Sequence, residues 1–218
     1  MEQNFLKYKG TKEIVSNFAS ILPEVTKNFP SMSEVNILYL SNVLYSKGIL
    51  YLIDAIDHLV SDESKEIHLY IGGDFMGDEY YSKTQIEALF RDKIIGKRHI
   101  TYLGFLNEAE KEATFQMCHL LALPSFYRSE AQPISIIEGI SYGMPILTTN
   151  HSYLPNLIDD KSGILVEPKN TQAIVKGINY LMDRDQWNKI SDYNYSYYRH
   201  QFSKKNAFNK LQNILGIR

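Results

Sequence analysis

Three charged residues, Lys47, Glu130 and Glu138, stand at points of this sequence where side chains could do chemistry. Glu130 lies in the predicted loop after an apolar run, and Glu138 falls one to two turns into the helix predicted next. Glu138 offers two acceptor oxygens, which suit the vicinal hydroxyls of a ribose. Glu130 can accept hydrogen bonds from the hydroxyls of a second sugar. Lys47, in the loop after the first predicted strand, can add a positive charge to the same pocket.

The start of that helix, near Gln132 to Ser135, is predicted to present backbone N–H groups without helical partners. Such groups and the positive end of the helix dipole favour phosphate binding. Two carboxylates, a lysine and a helix N-terminus are the parts that a nucleotide-sugar site needs.

None of these features is specific when it is taken alone. Two glutamates eight positions apart occur by chance in many proteins, and Lys47-Gly48 is typical of a turn that enters a helix. Gly72-Gly73-Asp74 lacks the Walker and G-x-G-x-x-G patterns, so it predicts a tight turn and not a phosphate cradle. The combination of these features, in the order set by the predicted strands and helices, is far more specific than any one of them.

Short apolar runs alternate with longer amphipathic segments from residue 37 onward. Periodicity predicts strands at 36–40, 67–73, 99–104, 119–125, 145–150 and 163–168. It predicts helices at 49–60, 84–94, 107–118, 133–143, 170–182, 184–199 and 203–215, with Asn107 as a cap and Pro133 at a first helical position. Strands separated by single helices predict an α/β fold with a doubly wound parallel sheet, which binds ligands beyond the carboxyl ends of its strands.

The composition argues against several other classes of protein. A net charge of -2 with mixed signs predicts no nucleic-acid partner. Cys118 is the only cysteine and the six histidines show no ligand spacing, so no metal is expected. No apolar run approaches the roughly twenty residues of a membrane span, and the N-terminus lacks the apolar stretch of a secretory signal. We therefore expect a cytoplasmic protein.

Residues 1–36 differ from the rest of the sequence. GTKEIVSNF (10–18) predicts a helix end, one short strand and an Asn turn, and residues 19–34 have the prolines and weak periodicity of a linker. A lone strand ahead of a linker cannot build a core. We expect residues 1–36 to hold the end of a missing amino-terminal domain plus a linker, and residues 37–218 to form the nucleotide-sugar-binding domain.

Several motifs of the sequence point together to one family. SNVLYSKG (41–48) is similar to a "GR…KG" motif, LPSFYRSE (123–130) to "PS…E", EGISYGMPILTTN (138–150) to "EAMACGxPVVAT", and DDKSGILVEPKN (159–170) to "DGxTGxLVxPxD". EIVSNF (13–18) looks like the family's junction between domains. From about Ile14 to its end the chain resembles the carboxyl-terminal domain of family-four glycosyltransferases, which build capsules, O-antigens and glycolipids. The resemblance implies a Rossmann-like sheet that is one half of a GT-B fold.

The resemblance also implies a reaction and roles for the three charged residues. A sugar would be transferred from a nucleoside diphosphate, such as UDP, to a hydroxyl group with retention at the anomeric carbon. Lys47 would bind the diphosphate and stabilise its charge as it leaves, Glu130 would bind the donor sugar, and Glu138 would bind the ribose. Beyond the donor itself no cofactor is expected, and no metal.

Further donor contacts are implied at positions that match the family's motifs. They are Asn42, Leu103, Gly104, Ala131, Gln132 and Pro133. Leu103 and Gly104, with Tyr102, would flank the base, and the backbone of 131–133 would contact sugar and phosphate. Asn42 stands where the family has an arginine. The stretch 130–133 is Glu-Ala-Gln-Pro where the family has "EGFG", so the glycines of that loop are replaced.

The expected acceptor is a saccharide or a lipid-linked molecule, held by the missing amino-terminal domain in surface polysaccharide or glycolipid synthesis. The full enzyme would then associate peripherally with the inner face of the membrane. Two other interpretations stay open. One is a non-catalytic subunit that only binds the donor, because no acceptor domain is present in the chain. The other is a nucleotide-sugar epimerase of the same architecture, which would need added acid and base residues that the sequence does not offer convincingly.

Overall fold

Six short aliphatic runs form one parallel sheet in the computed structural model of the chain, which describes residues 15–19 and 34–216 except for the side chains of Tyr197 and Tyr198. The strands are β1 (Val35–Leu40), β2 (Ile67–Gly72), β3 (Ile100–Gly104), β4 (Leu120–Leu123), β5 (Ile146–Thr149) and β6 (Gly163–Val166). All neighbouring pairs are parallel, in the order β3-β2-β1-β4-β5-β6. The order reverses between β1 and β4, so the predicted doubly wound, Rossmann-like sheet is confirmed.

An α-helix follows each of the first four strands and more follow β6, whereas a 3-10 turn, Leu154–Asn156, lies between β5 and β6. The α-helices are α1 (Ile49–Ser61), α2 (Lys83–Ile94), α3 (Glu108–Met117), α4 (Ile134–Ser141), α5 (Thr171–Leu181), α6 (Arg184–Tyr193), α7 (Arg199–Gln201) and α8 (Lys204–Leu215). Asn107 caps α3 as predicted, in a capping box with Glu110. Asn170 caps α5 by accepting a hydrogen bond from the N–H of Ala173.

The core lies on both faces of the central strands. Ile37 and Leu38 of β1 and Leu121 and Leu123 of β4 are completely buried. Helices α1 and α5 pack against each other, and α4 packs against the segment that follows α6. Burial on both faces explains why these strands are continuous aliphatic runs without polar alternation.

The predicted helix 184–199 is interrupted in the structure. After α6 the chain makes a π-helical turn over Asn194–Tyr198 before α7 begins. The side chain of Asn194 is buried, and its Nδ2 donates to the carbonyl oxygens of Met144 (2.8 Å) and Ser162 (2.9 Å). These contacts with the ends of two loops hold the backbone in the wider turn, which a local pattern of polar and aromatic residues does not reveal.

The amino-terminal predictions are only partly described. Val15–Phe18 has no regular structure, and Ala19 forms an isolated parallel bridge with Ser203. The rest of the segment that was predicted as a helix end, a short strand and a linker falls on residues 1–14 and 20–33, which lie outside the described residues. Elsewhere, Pro133 is the N-cap of α4 and not its first helical residue as predicted, because its backbone is extended at ψ 122.

Gly48 allows the loop after β1 to lie directly on the loop after β4. It follows a single 3-10 turn, Tyr45–Lys47, and has a left-handed φ of +78°. A Cβ at this position would lie 2.1 Å from the carbonyl oxygen of Pro124. Only glycine combines this backbone angle with so close an approach.

Gly48→Ala should therefore destabilise the fold more than Gly96→Ala. Both glycines are left-handed, at +78° and +74°, but nothing lies within 4 Å of a Cβ at Gly96. The backbone angle should cost alanine about 1–2 kcal/mol at either position, and the overlap with Pro124 should add about 1–3 kcal/mol at Gly48. Urea unfolding of the two variants measures this difference. Equal losses would show that the Pro124 loop moves aside freely.

Candidate functional site

The loops after β1 and β4 meet where the strand order reverses. β1 and β4 are neighbours in the sheet, with Ile37 opposite Leu120, so their carboxyl ends lie side by side. The N–H of Phe126 donates to the carbonyl oxygen of Ser46 at 2.7 Å and joins the two loops. This arrangement brings the predicted residues Lys47 and Glu130 together across 83 positions of sequence.

Lys47 and Glu130 form an ion pair with little access to solvent. The Nζ of Lys47 lies 2.6 Å from Oε2 of Glu130, and the two side chains are 12% and 6% exposed. Ser125 donates its hydroxyl to the same Oε2, and Ser152 donates to the carbonyl oxygen of Glu130 at 2.6 Å. The ammonium group of Lys47 also lies 5.0 Å from the ring centroid of Tyr127. Glu130 is thus fixed through both its side chain and its backbone.

Asp78, from the loop after β2, holds the turn that carries Lys47. Its carboxylate accepts from the N–H groups of Ser46 (2.8 Å), Tyr80 (2.9 Å) and Tyr81 (3.1 Å). Burial alone would raise the pKa of Asp78, but these hydrogen bonds outweigh burial and lower the pKa. Asp78 is consequently ionised at neutral pH. No sequence motif predicts the role of Asp78, because it acts through a contact between two loops.

Tyr39 lies beneath the pair at the end of β1. Burial and, after it, the negative charge of Glu130 raise the pKa of Tyr39 well above its ordinary value, so the hydroxyl stays protonated. That hydroxyl donates to the carbonyl oxygen of Asn42 at 3.0 Å. Asn42 itself is exposed in the loop, and its side chain carries no charge.

Glu138 forms a second ion pair, with a lysine that the sequence analysis missed. The Nζ of Lys111, on α3, lies 2.6 Å from Oε1 of Glu138, on α4, and the side chains are 29% and 13% exposed. Within α3, Lys111 stands among Glu108, Glu110 and Glu112 and looks like an ordinary solvent-facing charge. Only the packing of α3 beside α4 shows its partner.

An aromatic stack holds α3 and α4 in this arrangement. The rings of Phe115 on α3 and Tyr142 at the end of α4 are stacked at 5.0 Å with an angle of 9°. Burial, followed by the charges of Glu112 and Glu138, raises the pKa of Tyr142 to about 12. Tyr142 therefore stays neutral, and its stack with Phe115 holds together the two helices that carry Lys111 and Glu138.

The two glutamates share one arrangement. Each is bound to a lysine through a single carboxylate oxygen, Oε2 in Glu130 and Oε1 in Glu138. Among the hydrogen bonds of the described residues, none reaches the other oxygen of either side chain. A carboxylate accepts at both oxygens, so each glutamate is fixed in place and still has an acceptor for a ligand hydroxyl.

The start of α4 leaves backbone donors for an anion. No side chain caps this helix, and within the described part of the chain the N–H groups of Ile134 and Ser135 have no hydrogen-bond acceptor. Pro133 has no N–H, and its carbonyl oxygen accepts from Ile136 at 3.2 Å, so its possible ligand contacts are apolar. Of the predicted loop residues, Ala131 and Gln132 keep N–H groups that can donate. The side-chain Oε1 and the backbone carbonyl oxygen of Gln132 both accept hydrogen bonds from Asn17.

The predicted base-flanking residues end the strand that leads into α3. Leu103 and Gly104 are partly buried at the carboxyl end of β3, and Gly104 has a left-handed φ of +68° with nothing within 4 Å of a Cβ. Its carbonyl oxygen accepts from Gly73 at 2.7 Å, and the hydroxyl of Tyr102 donates to Gly73 at 2.9 Å. These residues share the carboxyl edge of the sheet with the two ion pairs.

Two further features of the described residues bear on function. Within 15–19 and 34–216, no three His, Cys, Asp or Glu side chains are grouped so that they could bind a metal ion. No helix in the same ranges has the length and apolar character to cross a membrane.

Comparisons with known proteins agree on one family. The family described as "Glycosyl transferases group 1" matches residues 23–200. The O-antigen chain mannosyltransferase C of Escherichia coli is 27% identical over 153 residues, which are 68% of this chain and 37% of that protein. This chain spans less than half the length of the curated relatives that it matches.

Solved structures share the fold at low identity. The Anabaena protein HepE in complex with UDP-glucose has a TM-score of 0.71 and 17% identity, over 87% of this chain and 49% of that one. The carboxyl-terminal domain of a glycosyl transferase group 1 protein from Francisella tularensis has a TM-score of 0.63 and 19% identity, over 78% of this chain and 87% of that one.

Lys47→Met should destabilise the protein by about 3–5 kcal/mol, because it leaves the buried carboxylate of Glu130 without its cation. Adding Glu130→Gln to that variant should restore most of the loss. Arg91→Met is the control, since it breaks the exposed pair of Arg91 with Glu87 (2.7 Å) and should cost less than about 1 kcal/mol. Urea unfolding at neutral pH provides the comparison. A loss in Lys47→Met no larger than that of the control would contradict this account of the pair.

Proposed function

The chain belongs to the glycosyl transferases group 1 family, and we propose that it is the donor-binding half of a retaining glycosyltransferase that uses a nucleoside-diphosphate sugar. The observation that carries the proposal is the pair of lysine-bound glutamates beside the uncapped start of α4. The named activity of the Escherichia coli relative and the UDP-glucose complex of the structural relative support it.

The nucleoside would bind between α4 and the end of β3. Glu138 would accept the two ribose hydroxyls at the oxygen that Lys111 leaves open, while Lys111 keeps the carboxylate from rotating. Leu103 and Gly104 would flank the base. This assignment places the ribose against α4, which aromatic packing holds in place. The carboxylate of Glu138 that binds the ribose therefore has one defined orientation.

The diphosphate would bind to Lys47 and the start of α4. Lys47 has three N–H donors, of which one is directed to Glu130, so it can bind phosphate and keep the ion pair. The N–H groups of Ile134 and Ser135 and the helix dipole would supply the remaining partial positive charge. We propose that these groups stabilise the leaving diphosphate without a metal ion.

The donor sugar would lie against Glu130, with its hydroxyls donating to the oxygen that Lys47 and Ser125 do not occupy. An acceptor hydroxyl would then attack the anomeric carbon on the face from which the diphosphate departs, so the configuration is retained. Loss of the diphosphate breaks the carbon–oxygen bond, and the proton of the acceptor hydroxyl passes to the leaving phosphate oxygen.

The acceptor would bind outside this chain. We propose that the sheet and its helices from Val35 onward form the donor domain, two residues before the predicted boundary because β1 begins at Val35. The residues before it would be the end of an amino-terminal domain with a linker, which is consistent with the share of its relatives' length that the chain spans. The exposed Phe208, Leu211 and Leu215 of α8 offer an apolar surface for that domain. The acceptor would be a saccharide or a lipid-linked molecule, and the full enzyme would act in the cytoplasm at the inner face of the membrane.

Glu138→Ala should raise the dissociation constant for the preferred nucleoside diphosphate about tenfold to hundredfold, because a hydrogen bond to a charged group is lost. A thermal-shift screen of UDP, GDP and ADP selects that ligand, and calorimetry measures the constants. The 2′,3′-dideoxy form of the same ligand should bind the variant and the unaltered chain equally. Glu112→Ala, on the adjacent helix, is the matched control. Equal losses for ribose and dideoxyribose ligands would remove Glu138 from the ribose site.

The chain alone should bind the donor and transfer no sugar. The groups proposed to bind it, Lys47, Glu130 and Glu138, all lie at the carboxyl edge of one sheet. Transfer also needs an acceptor hydroxyl held at attack distance, which can supply several kcal/mol of the barrier. Incubation with UDP-, GDP- and ADP-sugars and with saccharide or lipid acceptors tests this by mass spectrometry. Efficient transfer by the chain alone would place the acceptor site within it and overturn the domain assignment.

A further inference from the structure

Asn17 contacts Gln132 through two hydrogen bonds. The backbone N–H of Asn17 donates to Oε1 of Gln132 at 2.8 Å, and its Nδ2 donates to the carbonyl oxygen of Gln132 at 3.0 Å. The two residues lie 115 positions apart. A short segment that precedes the whole sheet in sequence is thereby joined to the loop that carries Glu130.

The same segment is also attached to the carboxyl-terminal part of the chain. The N–H of Ala19 donates to the carbonyl oxygen of Phe202 at 3.0 Å. The ring of Phe18 lies 6.3 Å from the ring of Phe208 on α8. Residues 15–19 therefore connect the start of α8 with the loop between β4 and α4.

The contact with Asn17 fixes the peptide bond that leads into α4. The carbonyl group of Gln132 belongs to the planar peptide that joins it to Pro133, the N-cap of the helix. Holding that oxygen sets the plane of the peptide. The ring of Pro133 fixes the next backbone angle, φ, so only ψ of Pro133 separates this plane from the N–H of Ile134. Among the described residues, Asn17 is the sole hydrogen-bond partner of Gln132.

We propose that Asn17 is a positioning residue for the donor: it holds the start of α4 in the orientation that binds the outer phosphate and the sugar. This inference rests on the proposed function, in which the N–H groups of α4 face the diphosphate. A displacement of residues 15–19 would therefore be transmitted through these two hydrogen bonds to the loop that carries Glu130. The nucleoside, bound by Glu138 further along α4, should be insensitive to the contact.

The test compares UMP, UDP and UDP-glucose, or the guanosine or adenosine series if the screen selects that base, by calorimetry. Asn17→Ala should leave the affinity for the monophosphate within about twofold and lower the affinities for the diphosphate and the nucleotide sugar about threefold to tenfold. Gln132→Met removes only the bond from the N–H of Asn17 to Oε1 and keeps the bond to the carbonyl oxygen, so it should lower these two affinities by less. The double variant loses both hydrogen bonds, so it should bind the diphosphate and the nucleotide sugar no more tightly than Asn17→Ala does.

Asn179→Ala is the control, because Asn179 makes a comparable exposed contact, from its Nδ2 to Glu63 at 2.9 Å across 116 positions. It should change none of the three affinities. A purely structural role for Asn17 would lower thermal stability and all three affinities in proportion, which would overturn the inference, as would unchanged affinities in Asn17→Ala. If the unaltered chain binds no nucleoside diphosphate, the proposed function fails as well, so the two failures are distinguishable.

Discussion

A carboxylate buried in the loop after β4 needs a cation from another part of the chain, and this requirement shapes the site. Glu130 obtains that cation from Lys47, whose Nζ lies 2.6 Å away. The loop after β1 places Lys47 beside Glu130 by making a tight turn that ends at a left-handed glycine. The carboxylate of Asp78 holds this turn. Three loops at the carboxyl edge of the sheet are therefore organised around the neutralisation of one buried charge.

The described site neutralises its own charges before a ligand arrives. Each glutamate is paired with one lysine, so a nucleotide that carries negative charge does not meet an open excess of positive charge. Binding would depend on oriented groups: the spare donors of Lys47, the N–H groups of α4 and the two open carboxylate oxygens. Such groups are fixed in advance by the protein and require little rearrangement when charge develops on a leaving group.

The sheet and its order could be predicted because burial on both faces leaves continuous aliphatic runs, as in β1 and β4. That Lys47 and Glu130 would share one pocket followed from the rule that ligands bind beyond the carboxyl ends of the strands, but their ion pair was not predicted. Lys111, Asp78 and Asn17 could not be found in this way, because their partners are set by helix packing and loop paths. The π-helical turn escaped prediction for the same reason, since the buried hydrogen bonds of Asn194 decide it and its neighbours are compatible with a continuous helix.

That π-helical turn also constrains how the chain can change in length. It holds one more residue per turn than an α-helix, so losing a single residue between 194 and 198 would let the segment return to regular α-helical spacing. A further deletion, or an insertion, is more than this one widened turn can absorb, and it would rotate every later residue of the segment by about 100° around the helix axis. Helix α8 would turn a different face outward and Ser203 would move away from Ala19. Point substitutions on the exposed side of this segment leave that geometry intact, whereas insertions and deletions do not, so we expect its length to be preserved more strictly than its composition.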